Sequence, residues 1–152
     1  MSVMKKVSAL IVCFLIVYAS YANAAVFVDV TRDAPYYPSV HKLHAFGVFS
    51  FPENKMFNPE GLLTRAEFAE MIARCMALSS KTDGNRYFTD VEEGSRAEDS
   101  IHKVTTAGLM RGYEDRTFRP ENHVTYNELI KVVTMMTGYG ELAEAKGGYP
   151  SG

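Results

Sequence analysis

Apolar residues fall three and four positions apart in several stretches of this chain, and in one stretch at its start they run on without interruption. Around Phe68, Met71 and Ile72, and again around Leu129, Val132 and Val133, the spacing is that of one face of a helix. Ile101, Val104 and the small Ala107 show the same period between them. The stretches FPENKMFNPEG and GYEDRTFRPEN are too rich in turn residues for helix, and Phe57 and Phe118 are placed to plug them onto a core. The uninterrupted run, SALIVCFLIVYA, follows Lys5 and Lys6 and gives way to Ala22, Asn23 and Ala24, the layout of a secretory signal cut after Ala24. It is too short for a membrane span, which wants about 20 residues. The exported chain is therefore expected to be soluble, with no membrane contact after cleavage. Cys13 follows Val12 and reads as one more member of the run rather than a lipid attachment point.

The pattern repeats. Shifting the chain by 61 residues places Phe27, Asp29 and Val30 on Phe88, Asp90 and Val91, and Ser39, His41, Lys42 and Gly47 on Ser100, His102, Lys103 and Gly108. Glu53, Phe57, Pro59 and Glu60 then fall on Glu114, Phe118, Pro120 and Glu121, and Thr64 and Glu67 on Thr125 and Glu128. Such self-similarity marks supersecondary units that share a core with their neighbours. The predicted boundaries are a signal over 1–24, a first repeat over 25–86, a second over 87–147 and the start of a third over 148–152.

Each unit reads as helix, extended loop, helix, which makes the fold all-α. Thr64 with Glu67, and Thr125 with Glu128, have capping-box spacing, and Leu63 with Phe68 and Val124 with Leu129 have the spacing of a hydrophobic staple. Ser95 and Glu98 open the first helix of the second repeat in the same way, and Gly108 stops it. Gly47 stops the equivalent helix of the first repeat, which starts near Pro35 and Pro38.

Charge and cysteine content narrow the function. Removing residues 1–24 takes away two lysines, leaving 14 basic and 18 acidic side chains and a net charge of −4, so no basic field is present to attract nucleic acid. Cys75 alone survives cleavage, and beside Phe68, Met71 and Ile72 it is expected to be a buried apolar group. No HExxH, GxSxG or glycine-rich phosphate loop is present, which argues against an enzyme. His41 and His102 read as helix-surface residues, and GYEDRTFRPENH lacks the ligand pattern of a calcium loop, so neither metal nor cofactor is expected.

The ordered set FVDV, AFGV, FNPEG and TRAEFAEMIAR resembles the S-layer homology motif of bacterial surface proteins, and FTDV, TTAGLM, GYEDRTFRPEN and VTYNELIKVV match it a second time. The resemblance covers Phe27 to Gly152. It implies a module of usually three motifs forming a pseudo-trimeric helical bundle, here incomplete. It also implies noncovalent attachment to a secondary cell wall polysaccharide linked to peptidoglycan and carrying pyruvate ketals, at the cell surface. Arg65 of the TRAE tetrapeptide is implied as a principal ligand contact, with Thr64, Glu67, Thr125, Tyr126, Tyr36 and Gly112 as further candidates. An arginine at a first helical position, beside backbone N–H groups and the positive helix end, suits a carboxylate, and its planar fork can take one through two hydrogen bonds.

Two departures from the family pattern leave an alternative open, a surface interaction module without sugar binding. Tyr126 stands where the first repeat has Arg65, and no tryptophan follows either FxDV motif, although Tyr36 or Tyr37 can substitute in the first repeat. With two central helices instead of three, the stripe of Phe68, Met71, Ile72, Leu129, Val132 and Val133 is expected to be short of cover, which favours a longer parent protein or self-association.

Overall fold

A computed structural model describes residues 27–49, 55–79 and 88–148. The expected secretory signal over 1–24 and residues 149–152 of the expected third repeat lie outside the described residues. Five α-helices follow in order: α1 Tyr37–Ala45, α2 Arg65–Cys75, α3 Arg96–Thr106, α4 Tyr126–Met136 and α5 Gly140–Ala145. Among the described residues the extended backbone makes a single isolated antiparallel bridge, Thr64 to His123. No helix among them is long and apolar enough to cross a membrane.

The helices start where the caps say they should. The Thr64 hydroxyl accepts the Glu67 N–H at 3.2 Å while the Glu67 carboxylate accepts the Thr64 N–H at 2.9 Å, and Thr125 and Glu128 repeat both distances. Ser95 caps α3 by accepting the Glu98 N–H, but the Glu98 carboxylate turns to the Gly94 N–H at 2.7 Å instead of back to Ser95. The expected capping box is thus half formed: the Ser95 N–H donates to the Glu92 carbonyl at 3.2 Å, and the Gly94 N–H takes the carboxylate in its place. Along α3 the Asp99–Lys103 pair at 2.5 Å adds i,i+4 support.

Helix ends show what the local rules tolerate. Gly47, Gly108 and Gly138 follow α1, α3 and α4 in the left-handed conformation that such termini require. After α2 the same position is Ala77, at φ 48°. A side chain in that region costs about 1–2 kcal/mol.

The described residues divide into two compact units, 27–41 with 55–59, and 42–49 with 60–79 and 88–148. In the first, Asp29 clamps the loop: its carboxylate accepts the N–H groups of Phe57 at 2.8 Å and Asn58 at 2.6 Å. The Val28 N–H reaches the Lys55 carbonyl at 2.9 Å, and the rings of Phe27 and Phe57 lie 5.3 Å apart. The second unit builds the same device 61 residues on. Asp90 accepts the N–H groups of Phe118 and Arg119 at 2.8 and 2.7 Å, Thr89 reaches the Arg116 carbonyl at 3.0 Å, and Phe88 lies 5.4 Å from Phe118. The FxDV motif is therefore a loop clamp. Its aspartate is needed because Lys55, Asn58, Arg116 and Arg119 all hold positive φ, which turns consecutive loop N–H groups toward one carboxylate.

The core of the second unit joins Phe68, Ala69, Ile72 and Ala73 of α2 to Ile101 and Val104 of α3, with Phe118 from the loop and Val132 from α4. Leu63 and Val124, the residues before the two caps, pack against it, and the Val124 N–H donates to the Leu63 carbonyl. Cys75 is exposed, contrary to expectation. The buried stripe of α2 is centred on Ala69 and Ile72, and Cys75 lies about a quarter turn from it, at the last helical residue. The stripe expected to lack cover is unevenly covered. Phe68, Ile72 and Val132 are buried and Met71 is half-buried, whereas Leu129 and Val133 are 36% and 45% exposed.

Two predictions follow from these devices. Replacing Ala77 by glycine is expected to raise stability by about 0.5–1 kcal/mol, the left-handed penalty less the added freedom of the unfolded chain, read as a higher denaturant midpoint. The second concerns acid. The Phe57 N–H foremost, with that of Asn58, holds the Asp29 carboxyl below the usual carboxylate range. That contribution is complete above the unfolded carboxylate value of about 4 and is lost as pH falls through the lowered folded value. Asp29→Asn is expected to lower stability at pH 7 while narrowing the gap between pH 7 and pH 2.5, measured as urea midpoints across that range.

Candidate functional site

The start of α2 is seated on the loop of the second repeat. A helix leaves its first N–H groups without intrahelical partners, and here each has an acceptor. The Arg65 N–H donates to the Asn122 carbonyl at 2.8 Å, the Ala66 N–H to the Pro120 carbonyl at 3.0 Å, and the Glu67 N–H to Thr64. At α4 the equivalent Thr125 and Glu128 form the same cap, but among the described residues the N–H groups of Tyr126 and Asn127 meet no such carbonyls.

The Arg65 side chain runs into the same loop and is 2% exposed. Nε donates to the Phe118 carbonyl at 2.9 Å, one terminal nitrogen to the Arg111 carbonyl at 2.8 Å, and the other pairs with Glu128. The guanidinium carbon lies 4.6 Å from the Phe118 ring centre and 5.2 Å from that of Tyr113. Outside this shell, Arg119 covers Tyr113 at 3.7 Å and pairs with Asp115. The Asp115 carboxyl is held below the usual range, first by the Thr117 hydroxyl and then by Arg119. Glu128 connects the two caps, since one of its oxygens takes Arg65 and the other the Thr125 N–H.

This geometry corrects the picture of an open, carboxylate-ready helix start. The donors expected to greet a ligand are taken by Asn122 and Pro120, and the fork expected to face solvent is enclosed by Phe118, Arg111 and Glu128. The reason is long-range: loop carbonyls of the next repeat are delivered to the helix start, and an arginine can satisfy them without leaving the ion pair exposed. Of the candidate residues, Thr64, Arg65, Glu67 and Thr125 are brought into one linked set. Gly112 belongs to the same loop, where a Cβ would lie 2.1 Å from the Phe88 ring and 2.8 Å from the Thr117 carbonyl, so no other residue fits without displacement. Tyr126 stands apart at 76% exposure. Tyr36 belongs to the first unit and is exposed. Glu128, Tyr113 and Arg119 are participants that the sequence did not single out as such. Among the described residues, no three of His, Cys, Asp and Glu are grouped to hold a metal ion.

Two stretches, 26–69 and 87–130, together more than half the chain, match the model of the S-layer homology domain. The chain belongs to that family. It is 32% identical over 146 residues to a "Surface layer protein" of Brevibacillus choshinensis, covering 90% of this chain and 13% of that protein. It is 27% identical over 110 residues to a "Middle cell wall protein" of Brevibacillus brevis, covering 70% and 10%. A "Cellulosome-anchoring protein" of Acetivibrio thermocellus is 32% identical over 80 residues, covering 51% and 18%. The chain thus spans less than a fifth of each of these relatives. Membership and relatives together place it with cell-surface proteins.

Because Arg65 is enclosed, its loss is expected to act on stability. Arg65→Met leaves two carbonyls and the Glu128 carboxylate without their partner and should cost about 3 kcal/mol, the lower end for a broken buried pair because Glu128 is partly exposed. Arg65→Lys should recover less than half of that, since one ammonium cannot span three separated acceptors. Urea unfolding of both variants, with Glu128→Gln in a double-mutant cycle, measures the loss and its coupling.

Proposed function

We propose that this chain is a wall-anchoring module that attaches noncovalently, outside the cell, to an anionic secondary polysaccharide linked to peptidoglycan, of the pyruvylated class. The observation that carries the reading is the pair of consecutive S-layer homology matches, 26–69 and 87–130. The relatives, a "Middle cell wall protein" and a "Cellulosome-anchoring protein" among them, support it. The module acts by holding and not by catalysis.

In this reading the rim of the junction meets the polymer. Thr64, Glu67, Thr125 and Tyr126 lie at or near the surface about the enclosed Arg65, whose part is to fix the two helix starts that present them. Tyr126 offers a flat apolar face for a sugar ring, and Tyr36 offers a second on the first unit. The arginine is then a positioning residue, and Gly112 lets the loop close against Phe88.

One observation favours the interaction-module alternative: Arg65, the charged group best suited to a pyruvyl carboxylate, is already committed to protein acceptors. Co-sedimentation with purified sacculi separates the two. Wall binding predicts retention on complete sacculi and at least about tenfold weaker retention once the secondary polymer has been extracted. Equal retention on both preparations, or on neither, would discard the polysaccharide reading.

A further inference from the structure

The seating of α2 on the second repeat has a receiving half and an inserting half. The receiving half is the loop clamped by Asp90, which gives its Phe118 and Pro120 carbonyls to Arg65 and Ala66, together with α3, which packs along α2. On that helix Ala97 packs against the core and Ser100 is buried. The inserting half is the start of α2 and its apolar stripe, with Phe68 and Ile72 buried.

Each half recurs once, 61 residues away, without its mate. In the first repeat Asp29 clamps the loop through the Phe57 and Asn58 N–H groups, and Lys55 and Asn58 hold φ of 52° and 56° where Arg116 and Arg119 hold 65° and 58°. The loop therefore has the receiving form. Among the described residues no N–H donates to its Pro59 carbonyl, although the matching Pro120 takes Ala66. Tyr36 and Ser39, the counterparts of Ala97 and Ser100, are exposed.

The inserting half recurs on α4. The Tyr126 and Asn127 N–H groups meet no carbonyl among the described residues, and Tyr126, Leu129 and Val133 form an exposed apolar strip at helical spacing. Water can satisfy a helix start, so the open N–H groups alone require no partner. The strip is what favours association.

We propose that a second copy of this chain is the occupant of both halves: α4 of one copy seats on the clamped first-repeat loop of the other and against the Tyr36–Ser39 face, as α2 seats on the second repeat. The Asn127 N–H then donates to the Pro59 carbonyl, in the place of Ala66 and Pro120, and the Tyr126 ring covers Phe57 where Arg65 covers Phe118. A tyrosine suits this seat because its ring can be covered without a buried carboxylate to neutralise it. Each copy carries one inserting and one receiving half, so a two-fold pair closes both joints at once. The pairing is independent of the wall ligand proposed above.

Sedimentation velocity of the secreted chain over about a hundredfold range of concentration should show a reversible monomer–dimer equilibrium. Val133→Glu damages the inserting half and Ser39→Glu the receiving half, both at exposed helical positions. Each should weaken the dimer at least about tenfold by placing an unpaired carboxylate in the joint, with the helical circular dichroism unchanged. An equal mixture of the two variants should dimerise again, because α4 of the Ser39→Glu chain and the first repeat of the Val133→Glu chain form one undamaged joint. A monomer at every concentration, a dimer indifferent to either substitution, or a mixture as monomeric as its separate components overturns the proposal.

Discussion

The three nitrogens of the Arg65 guanidinium end on Phe118, Arg111 and Glu128, and all three acceptors belong to the second repeat, 46 to 63 residues away in the chain. That single side chain ties the start of α2 to the 111–124 loop and to α4 within the second unit. Burying a guanidinium is costly unless every donor direction is matched. Here two carbonyls, a carboxylate and two aromatic rings supply the match, so the surrounding loop can adopt only the conformation that delivers them. The Asp90 clamp, the close approach of Gly112 to Phe88 and the bridge between Thr64 and His123 all serve that conformation.

What could be read in the sequence were the features whose cause is local. Two capping boxes and the glycine stops at Gly47 and Gly108 depend on residues within a few positions, and each is present. The S-layer homology signature was equally legible, since four motifs recur in order at a fixed offset. The environment of Arg65 was not, because it is fixed by acceptors from another repeat. An arginine at a helix start looks the same in sequence whether solvent or a neighbour's carbonyls stand in front of it. Cys75 failed for a smaller reason, a quarter-turn error at the edge of a stripe. The clamps of Asp29 and Asp90 were visible as matching letters, but their partners 28 and 29 residues away were not.

Under the proposed anchoring function, an acidic chain meets an acidic polymer and must place its cations with care. Burial removes Arg65 from that task and gives it a mechanical one. Between α2 and α3, Arg74 and Arg96 meet on Glu70 and Lys103 pairs with Asp99, beside the helix that Arg65 anchors. The same junction therefore sets the spacing of Arg74 on one helix against Arg96 and Lys103 on the other. A change in the buried arginine would reach those surface cations through the position of α2 rather than through any charge lost to solvent.

The two repeats differ most where a neighbour is met. Thr64 and Thr125, Glu67 and Glu128, and Asp29 and Asp90 are unchanged because each makes the same cap or clamp in its own repeat, Glu128 taking Arg65 in addition. Arg65 and Tyr126, Phe68 and Leu129, and Ile72 and Val133 are not, and at each of these pairs the first member is buried and the second exposed. The helix start at Arg65 has its N–H groups met by the loop of the following repeat, while the start at Tyr126 has its cap alone among the described residues. Local folding is thus specified twice by nearly the same letters, and the substitutions between copies record which face of each helix is covered. Residues of the first kind answer to helix chemistry, and those of the second to packing between helices of the second unit. Only the first kind is readable without knowing what stands opposite.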